Sequence, residues 1–170
     1  DPHEKVIFIP HKSLFLIPFQ ALQDFAGKYL VEKHTISIAP SIQILSLTHH
    51  NKSNTNLKDA LIVGNPSPMP ENLTSLPGAE AEAQDVAKLL QAKALTEKQA
   101  TKNAVLKQIS QASIIHLATH GLFNERQGLQ SYLALAPSEQ EDGLLTAEEV
   151  LNLTLKANLA VLSACSTGRG

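Results

Sequence analysis

The chain has 170 residues, a length typical of one domain that buries about 70% of the surface its unfolded chain exposes. Its formal net charge of −2 gives no reason to expect nucleic acid or an anionic membrane as a direct partner. A single cysteine excludes an internal disulfide, no apolar run approaches the roughly 20 residues that span a bilayer, and no secretory signal opens the chain, so we expect a reducing, cytoplasmic setting.

The first fifty residues predict short strands, one helical turn and one helix. Four short apolar runs are strand candidates: 5–10, 14–18, 30–31 and 36–38. The first two runs are joined by a short polar link, which favours a β-hairpin. A helical turn is expected at 19–22, because proline before it suits a helix start. Ser41 can cap a helix that begins at Ile42.

Beyond residue 59, predicted strands alternate with predicted helices. Apolar runs that begin at residues 60, 114, 132 and 158 predict the strands. The segment 65–77 holds four of the nine prolines, so this connection should be extended. Apolar residues at helical spacing predict an amphipathic helix over 79–90, and Thr101 can cap a second helix. Thr146 and Glu149 form a capping box, which predicts a third helix that ends near residues 153–156.

This alternation predicts an α/β sandwich with a largely parallel sheet. In such folds the reactive residues collect where the strands end, at the carboxyl edge of the sheet. Two of the predicted strands do stop at reactive side chains. His120, followed by Gly121, ends one strand, and Cys165 ends another. This pairing is expected of a cysteine nucleophile and its base, because an imidazole can accept the proton of a thiol whose pKa is about 8.5.

Each of these residues also has a plainer interpretation. A cysteine that ends an apolar strand is often an inert buried residue, and loops after strands commonly contain histidine. His116 lies four positions before His120, but leucine follows it in place of the glutamate of the zinc-protease motif. We therefore favour a structural role for His116, with a place on the floor of the site as the alternative.

A set of sequence blocks resembles the CHAT domain, the caspase-like peptidase domain associated with tetratricopeptide repeats. The blocks are Ile9–Pro10 with Leu14, Pro18–Phe19 with Ala21–Leu22, Ala60–Pro66, Leu76–Ala79 with Glu82, Ala118–Gly121, Glu141–Glu148 and Leu162–Gly168. They follow the order of the family and cover nearly the whole chain. The resemblance implies a caspase-haemoglobinase-like three-layer sandwich, in which helices flank a largely parallel central sheet.

The resemblance also implies a cysteine endopeptidase with His120 and Cys165 as its dyad. The backbone amides of Gly121 and Cys165 would hold the oxyanion. The expected partner is a protein or peptide substrate, and no metal or organic cofactor is called for. Relatives of this fold commonly prefer a basic residue before the scissile bond. Asp142 and Glu125 are candidates for the acidic lining of that pocket, although Asp142–Gly143 can equally be turn chemistry.

The resembling domains continue past the cysteine with a helix, further strands and a loop. We therefore expect residues 1–170 to be the amino-terminal and central part of a CHAT peptidase domain, with tetratricopeptide-type repeats upstream that regulate it. Two alternatives remain open from the sequence. One is a non-catalytic pseudo-peptidase that serves as an interaction module in a signalling assembly. The other is a hydrolase with a nucleophile elbow, which is disfavoured because the flanking glycine before Cys165 is missing.

Overall fold

The computed structural model describes residues 4–50 and 59–164, except the side chains of His49 and His50. The chain forms two compact units, residues 1–52 and 53–170, each of which is considered by itself. Cys165 lies outside the described residues.

Within residues 4–50, the first unit contains two parallel strands and two helices. These elements are β1 (Lys5–Phe8), α1 (Leu30–Lys33), β2 (Thr35–Ile38) and α2 (Ile42–His50), with 3-10 turns at Lys12–Leu16 and Phe19–Ala21. β1 pairs with β2 along their whole length. The predicted turn near Phe19 is confirmed, and so is the helix after Ser41, whose Oγ accepts a hydrogen bond from the Ile44 N–H at 3.1 Å.

Two predictions in this unit are wrong. The predicted β-hairpin does not form, because residues 12–16 are a 3-10 helix and β1 pairs with β2 instead. Proline at positions 10 and 18 removes backbone donors on both sides of that segment, which weakens any hairpin ladder there. The predicted strand at 30–31 is helical, since the Glu32 carboxylate accepts a 2.6 Å hydrogen bond from the Tyr29 N–H and so caps α1.

The second unit contains seven strands and three helices among its described residues. The strands are β3 (Ala60–Pro66), β4 (Ala94–Glu97), β5 (Ile114–Ala118), β6 (Gly121–Leu122), β7 (Tyr132–Ala134), β8 (Leu144–Thr146) and β9 (Leu159–Ser163). The helices are α3 (Pro77–Leu90), α4 (Lys102–Ile109) and α5 (Ala147–Leu151), with 3-10 turns at Pro70–Asn72 and Gly128–Gln130. The main sheet is parallel in the order β4-β3-β5-β9, and β6-β7-β8 form a small antiparallel sheet. The predicted fold class is therefore confirmed.

The main sheet is buried between helices because its central strands are apolar on both faces. Leu61 and Val63 of β3 point to the face that α4 covers, where they join the larger core cluster. Ile62 points to the opposite face and packs against Ala83 and Ala87 of α3. The sheet is thus the middle layer of three. Among the described strands, β4 and β9 lie at the two edges, and Leu159 and Leu162 of β9 are 53% and 46% exposed.

A row of small residues lies across the carboxyl end of this sheet, on the α3 face. Strand register aligns Gly64 of β3 with Ala118 of β5, and Ala118 with Ser163 of β9. A Cβ atom at Gly64 would lie 2.4 Å from both the Ala79 carbonyl oxygen and the Ala83 Cβ. Glycine is therefore required for α3 to pack this closely on β3.

Replacement of Gly64 by alanine is expected to destabilise the second unit by roughly 1–3 kcal/mol, because α3 must move away from β3. Urea unfolding of the full-length protein measures this change. The matched control is Gly78→Ala in the first turn of α3, where nothing lies within 4 Å of the new methyl group. The control should be neutral or stabilising by up to about 1 kcal/mol, and equal stability of the two variants would contradict the prediction.

Candidate active site

The two strands that precede the predicted dyad are parallel neighbours in the main sheet. The last aligned pair is Ala118 of β5 with Ser163 of β9. In the sequence, His120 lies two positions after Ala118, and Cys165 lies two positions after Ser163. The two strand ends that precede these residues in the sequence are therefore adjacent in the sheet.

His120 is held by a main-chain carbonyl group. Its Nε2 atom lies 2.8 Å from the carbonyl oxygen of Thr74. A carbonyl oxygen can only accept a hydrogen bond, so Nε2 must carry a proton and donate it. In the neutral ring Nδ1 is then unprotonated and able to accept a proton. This tautomer is the one required of a base that uses Nδ1.

The turn that carries His120 is tied to β7. The buried Thr119 hydroxyl donates to the Ala134 carbonyl oxygen at 2.6 Å, and the Ala134 N–H donates to the His120 carbonyl oxygen at 2.9 Å. Paired residues alternate between hydrogen-bonded and non-hydrogen-bonded pairs in an antiparallel ladder. Gly121, which pairs with Leu133, therefore points its N–H away from β7. Among the described strands, β6 lies at the edge of the small sheet, so this amide points to a side where no described strand pairs with it.

His116 lies inside the second unit, in the middle of β5 on the face covered by α3. It is 7% exposed, and its Nε2 atom lies 2.9 Å from Oε1 of Glu82, an ion-pair distance without the angle of a hydrogen bond. The other carboxylate oxygen of Glu82 accepts a hydrogen bond from Ser163 Oγ at 3.1 Å. Glu82 thus connects α3 to both β5 and β9, and the contacts of His116 fit the structural role.

Two clefts lie beside the His120 turn and share Tyr132 as a wall. One is apolar, has a volume of about 420 Å³, and includes Gly121, Phe123, Tyr132, Val150, Leu151 and Leu162 in its lining. The other is more polar, has a volume of about 430 Å³, and includes Glu125. The Tyr132 hydroxyl donates to the Glu71 carboxylate, and burial together with this carboxylate raises the pKa of Tyr132 to about 12. Tyr132 therefore stays protonated at neutral pH.

Asp142 lies in a turn that is anchored to α4. Its Oδ1 atom accepts a hydrogen bond from the Leu144 N–H at 2.9 Å and lies 3.9 Å from Lys102 Nζ. The next residue, Gly143, has a φ of 81°, which favours glycine. These contacts are the ones expected of an Asp-Gly turn. Within the described residues none joins Asp142 to His120 or Glu125, and its role in a substrate pocket stays a prediction.

Lys102 of α4 and Glu149 of α5 form a partly buried ion pair, with Nζ and Oε1 2.6 Å apart. Burial alone would lower the pKa of Lys102, but the hydrogen bond with Glu149 and the nearby carboxylates raise it above its ordinary value. Burial alone would raise the pKa of Glu149, but Lys102 and the Thr146 hydrogen bonds hold it below its ordinary value. The pair stabilises the α5 capping box that the sequence predicted.

Sequence reasoning missed two groups that support this site. Thr74 contributes through its backbone oxygen, and a main-chain contact leaves no side-chain pattern to find. Glu82 stood in one of the family-like blocks, but a single acidic residue on an amphipathic helix gives no sign of its partners.

A parallel α/β sheet between helices, with a histidine two positions beyond a central strand, is consistent with a caspase-like sandwich. The CHAT domain family model matches residues 1–170, and the chain belongs to the CHAT domain family. Tetratricopeptide repeat protein 28 of Homo sapiens is 32% identical over 132 aligned residues, and its Mus musculus counterpart is 30% identical. Each alignment covers 69% of this chain but only 5% of the relative. Of the helices described, none has the length and apolarity needed to cross a membrane.

The Lys102→Met variant should lose about 1–3 kcal/mol of stability at pH 7, because Glu149 loses a charged partner. The pKa of Glu149 is lowered in the folded state, so its contribution is complete above the ordinary value of 4.5 and is lost as the pH falls through the folded value. The difference between wild type and variant in the free energy of unfolding, measured with urea, should therefore be smaller at pH 3 than at pH 7. Lys107→Met, on an exposed position of the same helix, is the control. An equal difference in the free energy of unfolding at both pH values would contradict a stabilising Lys102–Glu149 ion pair.

Proposed function

We propose that this domain is a cysteine endopeptidase that uses His120 and Cys165. One observation carries the proposal: the Thr74 carbonyl group accepts the Nε2 proton of His120, which leaves Nδ1 as a base at the end of β5. β9 lies beside β5, and its sequence runs into the only cysteine of the chain. A base fixed in one tautomer next to a nucleophile is the arrangement that thiol activation requires.

In the proposed reaction the Cys165 thiol gives its proton to Nδ1 of His120, and the thiolate attacks the carbonyl carbon of the scissile bond. The carbonyl oxygen becomes negatively charged and accepts hydrogen bonds from the N–H groups of Gly121 and Cys165. When the tetrahedral intermediate collapses, the C–N bond breaks and the imidazolium returns a proton to the leaving amine. Water, deprotonated by the same imidazole, then hydrolyses the thioester and restores the thiol.

The proposed preference is for a basic residue before the scissile bond, with Glu125 as its acidic partner. Glu125 follows the His120 turn by a few residues and lines the more polar cleft. No described residue forms an ion pair or hydrogen bond with its carboxylate. Asp142 is the weaker candidate, since its carboxylate already accepts a backbone hydrogen bond and faces Lys102.

The proposed partners are a protein substrate and a set of tetratricopeptide-type repeats in the same polypeptide. Both curated relatives are named as tetratricopeptide repeat proteins, which supports this association. We place the protein in the cytoplasm, in a signalling role in which the repeats control the access of the substrate. A lone thiol in a family with a thiol nucleophile is compatible with a reducing compartment.

The full-length protein should release fluorophore from a panel of peptides that carry Arg, Lys, Asp or Leu before the scissile bond. Cleavage should be confined to the basic peptides and should fall at least about 10³-fold in Cys165→Ala and in His120→Ala, because the two groups act as a unit. His11→Ala, an exposed histidine of the first unit, is the control and should keep full activity. Cleavage that survives Cys165→Ala would refute the mechanism. No cleavage at all, with slow alkylation of Cys165, would favour the non-catalytic interaction module.

Glu125→Gln should lower kcat/KM for Arg and Lys peptides by roughly fivefold, as expected for the loss of one exposed ion pair. The Leu peptide, which the wild type is expected not to cleave, should stay uncleaved in this variant. Glu139→Gln, in a loop outside the polar cleft, serves as the charge-matched control. If Asp142→Asn gives the loss and Glu125→Gln does not, the acidic partner is Asp142.

A further inference from the structure

Asn65 is a buried polar residue at the carboxyl end of β3, next to the strand that leads to His120. Its side chain and backbone are only 4% exposed. Its φ of 47° lies in the left-handed region, which asparagine tolerates better than most residues other than glycine. A buried asparagine in this conformation needs partners for its amide, because an unpaired buried polar group costs about 1–3 kcal/mol.

The Asn65 amide forms three hydrogen bonds, all to one segment of the chain. Its Oδ1 atom accepts from the Leu76 N–H at 2.7 Å and from Ser75 Oγ at 3.0 Å. Its Nδ2 group donates to Oε2 of Glu80, in the first turn of α3, at 3.1 Å. The side chain thus joins the end of β3 to the residues that enter α3.

Those residues directly follow Thr74, whose carbonyl oxygen receives the Nε2 proton of His120. Consecutive Cα atoms are about 3.8 Å apart, so fixing residues 75 and 76 strongly restricts the position of the Thr74 carbonyl group. The segment 66–77 contains four prolines, which have no N–H to contribute to backbone hydrogen bonds. Side-chain anchors therefore matter more in this loop than in most.

We propose that Asn65 is a positioning residue for His120, acting through the Thr74 carbonyl group. The hydrogen bond at one ring nitrogen decides which nitrogen is protonated, so a correctly placed carbonyl keeps Nδ1 free to take the thiol proton. Without the anchor, the carbonyl moves and the ring can adopt the other tautomer or another orientation. The inference rests on His120 serving as the base of the proposed dyad.

The test compares Asn65→Gly with Asn72→Gly in the full-length protein. Asn72 also has a positive φ, at 58°, and lies exposed in the same loop, so the control repeats the same substitution in a similar backbone conformation. Glycine keeps the left-handed backbone at position 65 and removes only the amide. The readout is the iodoacetamide alkylation rate of Cys165 between pH 5.5 and 9, followed by mass spectrometry, alongside the thermal midpoint and kcat on the best basic peptide.

The wild type and Asn72→Gly should alkylate rapidly at pH 6–7. In Asn65→Gly the rate near pH 6.5 should fall about tenfold or more, and the profile should move toward that of an ordinary thiol. kcat should fall in parallel, by about 10²-fold. A residue with a merely structural role would lower the thermal midpoint and leave the pH profile of alkylation where it is. A wild-type profile in folded Asn65→Gly would therefore overturn the inference.

A second variant keeps the inference testable if Asn65→Gly does not fold. In Asn65→Asp/Glu80→Gln the carboxylate at position 65 accepts the same two hydrogen bonds and the new amide at position 80 donates across the 3.1 Å contact. This variant should keep the wild-type profile, and loss of the profile in a folded double variant would also overturn the inference. Rapid alkylation of the wild type without cleavage of any peptide would reject the proposed endopeptidase activity, and the alkylation profiles of the variants would still decide the role of Asn65. Slow alkylation of the wild type at pH 6–7 would reject both the endopeptidase activity and the positioning role of Asn65.

Discussion

The close contact between α3 and β3 at Gly64 is the constraint on which the rest of the second unit depends. Van der Waals packing without any intervening side chain lets α3 lie against the carboxyl end of the sheet. Two carboxylates of the same helix thereby reach β3, β5 and β9. Glu80 meets Asn65, and Glu82 meets His116 and Ser163. The absence of a side chain at Gly64 thus allows several polar contacts to form near the candidate site.

The candidate site is built largely from the backbone. The acceptor that orients His120 is a carbonyl group, and the amide of Gly121 is turned outward by the alternation of a short ladder. Such groups cannot be removed by a side-chain substitution, and they are placed by the path of the chain. This explains why residues with no proposed part in the reaction, such as Thr119 and Asn65, have well-defined hydrogen bonds that secure turns and loops.

The sequence predicted the strongly patterned elements of the second unit. β3, β5 and β9 are apolar runs, and Thr101 and Thr146 are capping residues whose hydrogen bonds the structure contains. β4, β6 and β8 were missed, because strands of two to four residues with mixed polarity carry too little periodicity. α5 ends at Leu151, earlier than predicted. The Asn65 anchor was also missed, since Gly-Asn-Pro after a strand looks like any loop entry until its partners ten positions later are known.

The order of strands in the main sheet has a consequence for how the protein is made. β9, which pairs with β5, is the last of the four strands of this sheet to be synthesised. β3, β4 and β5 can pair during synthesis. β9 follows β5 by about forty residues, because the small sheet and α5 lie between the two strands in the sequence. Residue 165 is therefore synthesised only after β3, β4 and β5, so a nascent chain can already contain His120 in its scaffold before Cys165 has been added.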